Sequence, residues 1–238
     1  MKIIAMIPAR IGSQRLSQKN LALVGGKPLV QRAIEAAKAA NVFDEIIVSS
    51  DSEEIKQLAK SLDVKTFERS DELASSSAKS DEIVNEFLQT NKCDYIIWMN
   101  TTSPLQTGEE VARVVKQAIQ DDCDSFFTSY LESVHANYKN EPLNYSTDGL
   151  FAKTQDLEPV ERFVYSVMGW KVSTFLDEYQ KNSEAFFCGT TKTYPVSKAS
   201  ALIVKNLEDI ALVDAIASAN ISLDNYSPTY YSVTEDKA

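Results

Sequence analysis

Residues 2–20 read KIIAMIPARIGSQRLSQKN: an apolar run of strand length that stops at Pro8 and opens into a loop carrying Arg10, Arg15 and Lys19. Within that loop Gly12 lets the backbone come close to a ligand, and Ser13 and Gln14 add neutral hydrogen-bonding groups. The charge distribution singles out the same place. The first forty residues hold seven Lys or Arg against one Glu, whereas the rest of the chain holds 17 bases against 33 acids. A basic loop at the end of a first strand, in a protein of net charge −10, is a place for a polyphosphate.

Working outward, apolar runs of strand length alternate with helical periods. Glu45–Ser50 (EIIVSS) is a second strand, with Asp51 just beyond its end. Ile55, Leu58, Ala59 and Leu62 share one helix face. A third strand falls near Val64–Phe67 and leads into the polar loop RSDELASSSAKS, with Ile83, Phe87 and Leu88 on the helix after it. Tyr95–Met99 (YIIWM) is apolar throughout, as suits a central strand covered on both faces. Val111, Val114, Val115 and Ala118 mark another helix, and Ser125–Tyr130 another strand. An alanine-rich helix runs from Pro28 to Ala40. This rhythm predicts a mostly parallel sheet in a three-layer α/β/α, Rossmann-like fold. Ligands of such sheets collect beyond the carboxyl ends of the strands, and the loops after Pro8, Ser50, Phe67 and Met99 all fall there.

The whole chain, 1–238, reads as a single domain. From 131 to 167 the apolar period is lost, and this stretch is expected to be an excursion, either a dimerisation arm or a long surface insertion. Strand-like segments are expected again near Gly169–Val172, Lys192–Val196 and Ala201–Val204, and a last helix from Leu207 to about Ala219.

Composition narrows the classes. A sequence pI near 4.7 argues against general nucleic-acid binding. Cys93, Cys123 and Cys188 are scattered and odd in number, which predicts reduced thiols in a cytoplasmic protein. His135 is the only histidine, which leaves no histidine-based zinc site. The N-terminal apolar run is too short for a signal peptide, and no stretch approaches a membrane span.

With these segments in view, the chain resembles the CMP-sialic acid synthetases (acylneuraminate cytidylyltransferases), relatives of the CMP-Kdo synthetases. The resemblance is carried by IPARIGSQRLSQKN, IIVSSDSEEI, RSDELASSSAKSDEI and TTSPLQTGEEV, and more weakly by AFFCGTTKTYPV. It implies a dimeric nucleotidyltransferase using magnesium. The implied partners are CTP and an acidic sugar: CMP passes from CTP to the anomeric hydroxyl of a sialic-acid-like or related 3-deoxy-ulosonic acid, and pyrophosphate leaves. Carried over by position, Ala9, Arg10, Gly12, Ser13, Gln14, Arg15 and Lys19 would form the triphosphate loop. Asn20 would touch ribose or phosphate, and Arg69, Ala78 and Ser80 would frame the cytosine. Asn100, Ser103 and Gln106 would face the sugar. Phe186 and Phe187 would either pack on it or belong to the core.

The chain also departs from the family pattern. Gln14 stands where the family has lysine, and Gln106 where it has arginine. Ile203 and Lys205 occupy the positions of the metal-binding aspartates, and of an R-x-N-G motif only Gly169 remains, after Ser166 and Met168. Asp51 is then the best surviving carboxylate, read either as a metal ligand or as a cap for the helix beginning at Ser52. Two readings follow: Lys205 neutralises the phosphates in place of the ion, or the protein is a non-catalytic nucleotide- or sugar-binding homologue.

Overall fold

The computed structural model describes residues 1–13, 15–219, 227, 228 and 230. Its elements run β1 (Ile3–Pro8), β2 (Leu23–Val24), β3 (Lys27–Pro28), α1 (Leu29–Ala40), β4 (Glu45–Ser50), α2 (Glu53–Ser61) and β5 (Lys65–Glu68). They continue with α3 (Asp71–Ala74), α4 (Ser80–Thr90), β6 (Tyr95–Met99), α5 (Gly108–Gln120) and β7 (Ser125–Glu132). The last are β8 (Asn137–Tyr138), β9 (Glu141–Pro142), β10 (Val160–Lys171), α6 (Val172–Asn182), β11 (Thr191–Pro195) and α7 (Leu207–Ser218).

Seven strands form one sheet in the order β11-β7-β10-β6-β1-β4-β5. All run parallel except β10, which is antiparallel to both β6 and β7. Side chains alternate across the sheet even where the sequence is apolar throughout. From β1, Ile3, Ala5 and Ile7 enter the core shared with α1, α2 and α5, whereas Ile4 and Met6 enter the core shared with α4 and α6. From β6, Tyr95, Ile97 and Met99 take the first side and Ile96 and Trp98 the second. Two apolar layers on a mixed sheet thus give the three-layer arrangement expected.

Helix boundaries follow local chemistry. The Ser52 side chain accepts the N–H of Ile55, and that of Thr107 accepts the N–H of Glu110, each satisfying a donor the helix leaves open. The turn between β2 and β3 needs Gly25 and Gly26, both at positive φ.

Three expectations change. β10 begins at Val160 rather than near Gly169, although its first four residues are largely exposed and show no apolar alternation. Pairing with the long β7 holds them in the sheet. A shift of register between Phe163 and Met168, with Tyr165 at φ 57°, marks a bulge there. Val172 opens α6 instead of closing a strand. Ala201–Val204 pairs with no strand: Ala201 and Val204 are buried and Leu202 and Ile203 partly so, with Val204 among Val24, Leu29 and Val213. Residues 133–159 form the excursion proper, with the β8–β9 pair at its start.

Candidate functional site

The carboxyl ends of β1 and β6, with the segment that follows β5, open on an irregular cleft of about 280 Å³. Its floor is Pro8 from β1 and Trp98 from β6. Trp98 and Asn100, two residues apart on a strand that continues into a loop, both face it. One wall is the loop carrying Arg10, Gly12, Ser13, Arg15, Lys19 and Asn20. The other is Arg69 with the segment Leu73, Ser75, Ser76, Ala78, Ser80 and Ile83.

The basic loop is tied down at several points. Ala9 is fully buried beneath it: its N–H donates to the Ser49 carbonyl at 2.9 Å, and its carbonyl accepts the Ser50 hydroxyl at 2.6 Å. The Ile11 N–H donates to Asp51 Oδ1 at 2.9 Å. Asn20 donates from Nδ2 to the Arg10 carbonyl at 2.7 Å and accepts at Oδ1 from the Thr101 hydroxyl at 2.6 Å. That last pair locks the loop to the end of β6. Across the cleft, Arg10 Nη1 donates to the Ala74 carbonyl at 3.1 Å, joining the two walls.

Electrostatically the cleft is one-sided. Arg10, Arg15, Lys19 and Arg69 line it, no Asp or Glu does among the described residues, and none of the four cations is in an ion pair there. Burial lowers the Lys19 pKa, and the charges of Arg15 and Arg10 lower it further. Arg69 is 4% exposed, and burial pulls its pKa down to about 10 against the opposing pull of Asp51 and Glu86. Its Nε reaches the Ser49 hydroxyl at 3.4 Å, and its Nη2 is buried with no partner among the described residues. Concentrated positive charge with open donors suits an anion of several charges.

Arg10, Gly12, Ser13, Arg15, Lys19, Asn20, Arg69, Ala78, Ser80 and Asn100 therefore meet around one space, drawn from three loops. Gln14 lies outside the described residues. The remaining candidates sit elsewhere. Ser103 and Gln106 are buried behind Asn100, with Gln106 Nε2 reaching the Asn100 carbonyl at 3.4 Å. Phe186 stacks on Phe127 at 4.9 Å, and Phe187 borders a separate recess with Lys79, Asp81 and Glu178. Lys205 is exposed and absent from the cleft wall; its segment docks through the Val204 N–H on the Thr102 carbonyl at 2.8 Å. His135 stacks on Phe151 in the excursion. Trp98, Thr101 and Thr102 line the cleft without having been foreseen. The alternation of β6 was the available signal for Trp98, because it puts that side chain on the face of Asn100.

The carboxylates near the cleft do not suit a divalent ion, which takes several hard oxygen ligands. Asp51 spends Oδ1 on the Ile11 N–H. Asp209 Oδ2 accepts the N–H groups of Lys205 and Asn206 at the start of α7. Ile203 packs against the core and Lys205 brings a cation. Among the described residues no three Asp, Glu, His or Cys side chains converge as a metal site. No described helix is long and apolar enough to cross a membrane.

Comparison with known proteins agrees with this geometry. Residues 4–216 match the family described as cytidylyltransferase. The chain belongs to the cytidylyltransferase family. A pseudaminic acid cytidylyltransferase of Campylobacter jejuni is 30% identical over 211 residues, covering 82% of this chain and 81% of the relative. An N-acylneuraminate cytidylyltransferase of Streptococcus agalactiae is 28% identical over 88% of this chain and 52% of its own length. A 3-deoxy-manno-octulosonate cytidylyltransferase of Bdellovibrio bacteriovorus is 34% identical over 51% of this chain and 47% of the relative. The chain thus spans about half the length of the latter two. A CMP-2-keto-3-deoxy-manno-octonic acid synthetase solved with CTP superposes with a TM-score of 0.70 at 17% identity, over 93% of this chain and all of that one. A 4-diphosphocytidyl-2C-methyl-D-erythritol synthase from Anaerococcus prevotii gives 0.63 at 14% identity, over 90% of this chain and 97% of that one. These two likenesses establish the nucleotidyltransferase α/β fold.

Proposed function

We propose that the chain transfers CMP from CTP to the anomeric hydroxyl of a nonulosonic or related 3-deoxy-ulosonic acid, releasing pyrophosphate. The observation that carries this reading is the cleft at the carboxyl ends of the strands, lined by four cations and, among the described residues, by no acid, in a family described as cytidylyltransferase. The nine-carbon class is favoured because the pseudaminic acid relative aligns over most of both chains.

In this reading Arg10, Arg15 and Lys19 hold the triphosphate. Gly12 and Ser13 admit it close to the backbone, and Arg69, Ala78 and Ser80 frame the cytosine. Asn100 faces the acceptor, with Trp98 beneath it. The acceptor hydroxyl oxygen attacks the α-phosphorus and gives up its proton to solvent, the bond to the bridging oxygen of the β-phosphate breaks, and pyrophosphate carries away the displaced charge. The chain supplies position and positive charge where negative charge grows on the phosphates.

A second reading has its own support. Gln106 and Ser166 are neutral, and the hydroxyl of Ser166 is engaged with Thr128 at 2.9 Å. A homologue that binds nucleotide without transferring it would tolerate both. The deciding test is pyrophosphate release from CTP across a panel of nonulosonic and octulosonic acids. Release with one acid supports the transferase and names its acceptor; CTP binding with no release across the panel favours the binding homologue.

We further propose that the chain forms a homodimer through the excursion, where Tyr138, Leu143, Leu150 and Phe151 are exposed apolar side chains. A variant with residues 136–157 replaced by a short Gly-Ser linker should sediment as a monomer where the intact chain sediments as a dimer. Equal sedimentation of the two would reject the arm.

A further inference from the structure

Resident metals in phosphate sites are held by carboxylates, and the charges available here have the opposite sign. Arg10, Arg15, Lys19 and Arg69 line the cleft and, among the described residues, no carboxylate does: Asp51 accepts the Ile11 N–H with Oδ1, Asp209 accepts backbone N–H groups at the start of α7, and Glu86, whose charge acts on Arg69, lies on α4 outside the cleft wall. Lys205, the side chain at the family's metal position, is exposed and outside the cleft wall, so the neutralising charge comes from the loop cations rather than from a substitute at 205.

We infer that this cleft takes its nucleoside triphosphate as a metal-free polyanion, with no described residue providing a ligand to a divalent ion. The inference rests on the triphosphate assignment proposed above, and it makes a prediction opposite in sign to that of a metal-holding site. Magnesium removes two negative charges from a triphosphate. A purely cationic cradle therefore binds the free nucleotide at least as tightly as the chelate, whereas a carboxylate site needs the ion to bridge like charges.

The test is isothermal titration of the full chain with CTP, and separately with inorganic tripolyphosphate, in EDTA and in excess Mg²⁺. It is paired with a Mn²⁺ titration followed by electron paramagnetic resonance. The expected result is a Kd in EDTA no weaker than in Mg²⁺ for both ligands, and a free-Mn²⁺ signal that the protein alone leaves unchanged. Asp51→Asn keeps an oxygen for the Ile11 N–H and should preserve the ratio of the two Kd values. Weaker binding in EDTA, or Mn²⁺ taken up by the protein alone and lost in Asp51→Asn, would overturn the inference. Tripolyphosphate binding in EDTA with no tighter binding of CTP would uphold it and defeat the cytidine assignment instead. No binding of either ligand in either buffer would defeat both.

Discussion

Lys19→Ala is expected to lower kcat/KM for CTP by about a hundredfold, equivalent to roughly 2–3 kcal/mol for one hydrogen-bonded charge on a reacting phosphate chain. Lys19 is partly buried between Arg10 and Arg15, and holding its proton in the empty cleft is already costly. A bound triphosphate reverses that balance, so much of its interaction energy is available only when the anion is present. Lys19→Arg keeps the charge and should recover part of the loss. The pH dependence has a definite sign. Binding raises the Lys19 pKa above its depressed value in the free protein, which lies below 10.5. Its contribution is therefore complete below the free-protein value and disappears as pH rises through the value in the complex. Titration of CTP in buffers of different ionisation enthalpy should record proton uptake on the alkaline side. A fall in kcat/KM of less than about threefold for Lys19→Ala would place the triphosphate elsewhere.

Gly169→Ala is expected to lower stability by about 2–3 kcal/mol, and the melting temperature by about 6–10 °C for a chain of this size. Gly169 sits on the interior strand β10, paired with Ile97 on β6 and Phe126 on β7. An added Cβ would lie 2.3 Å from Phe126 Cε1 and 2.7 Å from Ile97 Cδ1, both in fully buried side chains. Neither can retreat without opening a gap in the core. Gly12→Ala is the matched control, because its added Cβ meets nothing within 4 Å. Its melting temperature should stay within about 2 °C, as for surface substitutions. A Gly169→Ala protein that melts with the unaltered chain would show that the sheet adjusts at this point. The persistence of this glycine from the R-x-N-G pattern, when its neighbours have changed, is thus accounted for by packing.

The parts of the fold that were legible are those where side-chain periodicity and burial coincide. Glu45–Ser50 and Tyr95–Met99 are strands as read, and Val111, Val114, Val115 and Ala118 are all buried on one face of α5. The parts that were not legible depend on partners distant in the chain. Val160–Phe163 are mostly exposed residues with no internal pattern, and they are strand because β7 pairs with them. Leu202 and Val204 are apolar without being strand, because a small core beneath α7 takes them up, while Ile203 packs against the larger core on the α1 side of the sheet.

The site divides along the same line. The basic loop, the 69–80 segment and Asn100 could be named from residue types and resemblance, since each carries its chemistry locally. Distance to the cleft is another matter. Asp51, as a candidate metal ligand, and Lys205, as a candidate substitute for the ion, both read from the sequence as charged groups near the nucleotide. Folding turns the first into a peg for the Ile11 N–H and leaves the second outside the cleft wall. Phe186 and Phe187 form an aromatic cluster with Phe127 and border a recess of their own. From the sequence alone came a mostly parallel α/β sheet with its cationic loop at a strand's carboxyl end, because strand length, helical period and local charge are written in neighbouring residues. Only the tertiary structure decided which charges share a space, because bringing the distant Arg69 opposite the loop of Arg10, Arg15 and Lys19, with no carboxylate among the described residues that line the cleft, is a property of how the strands are ordered.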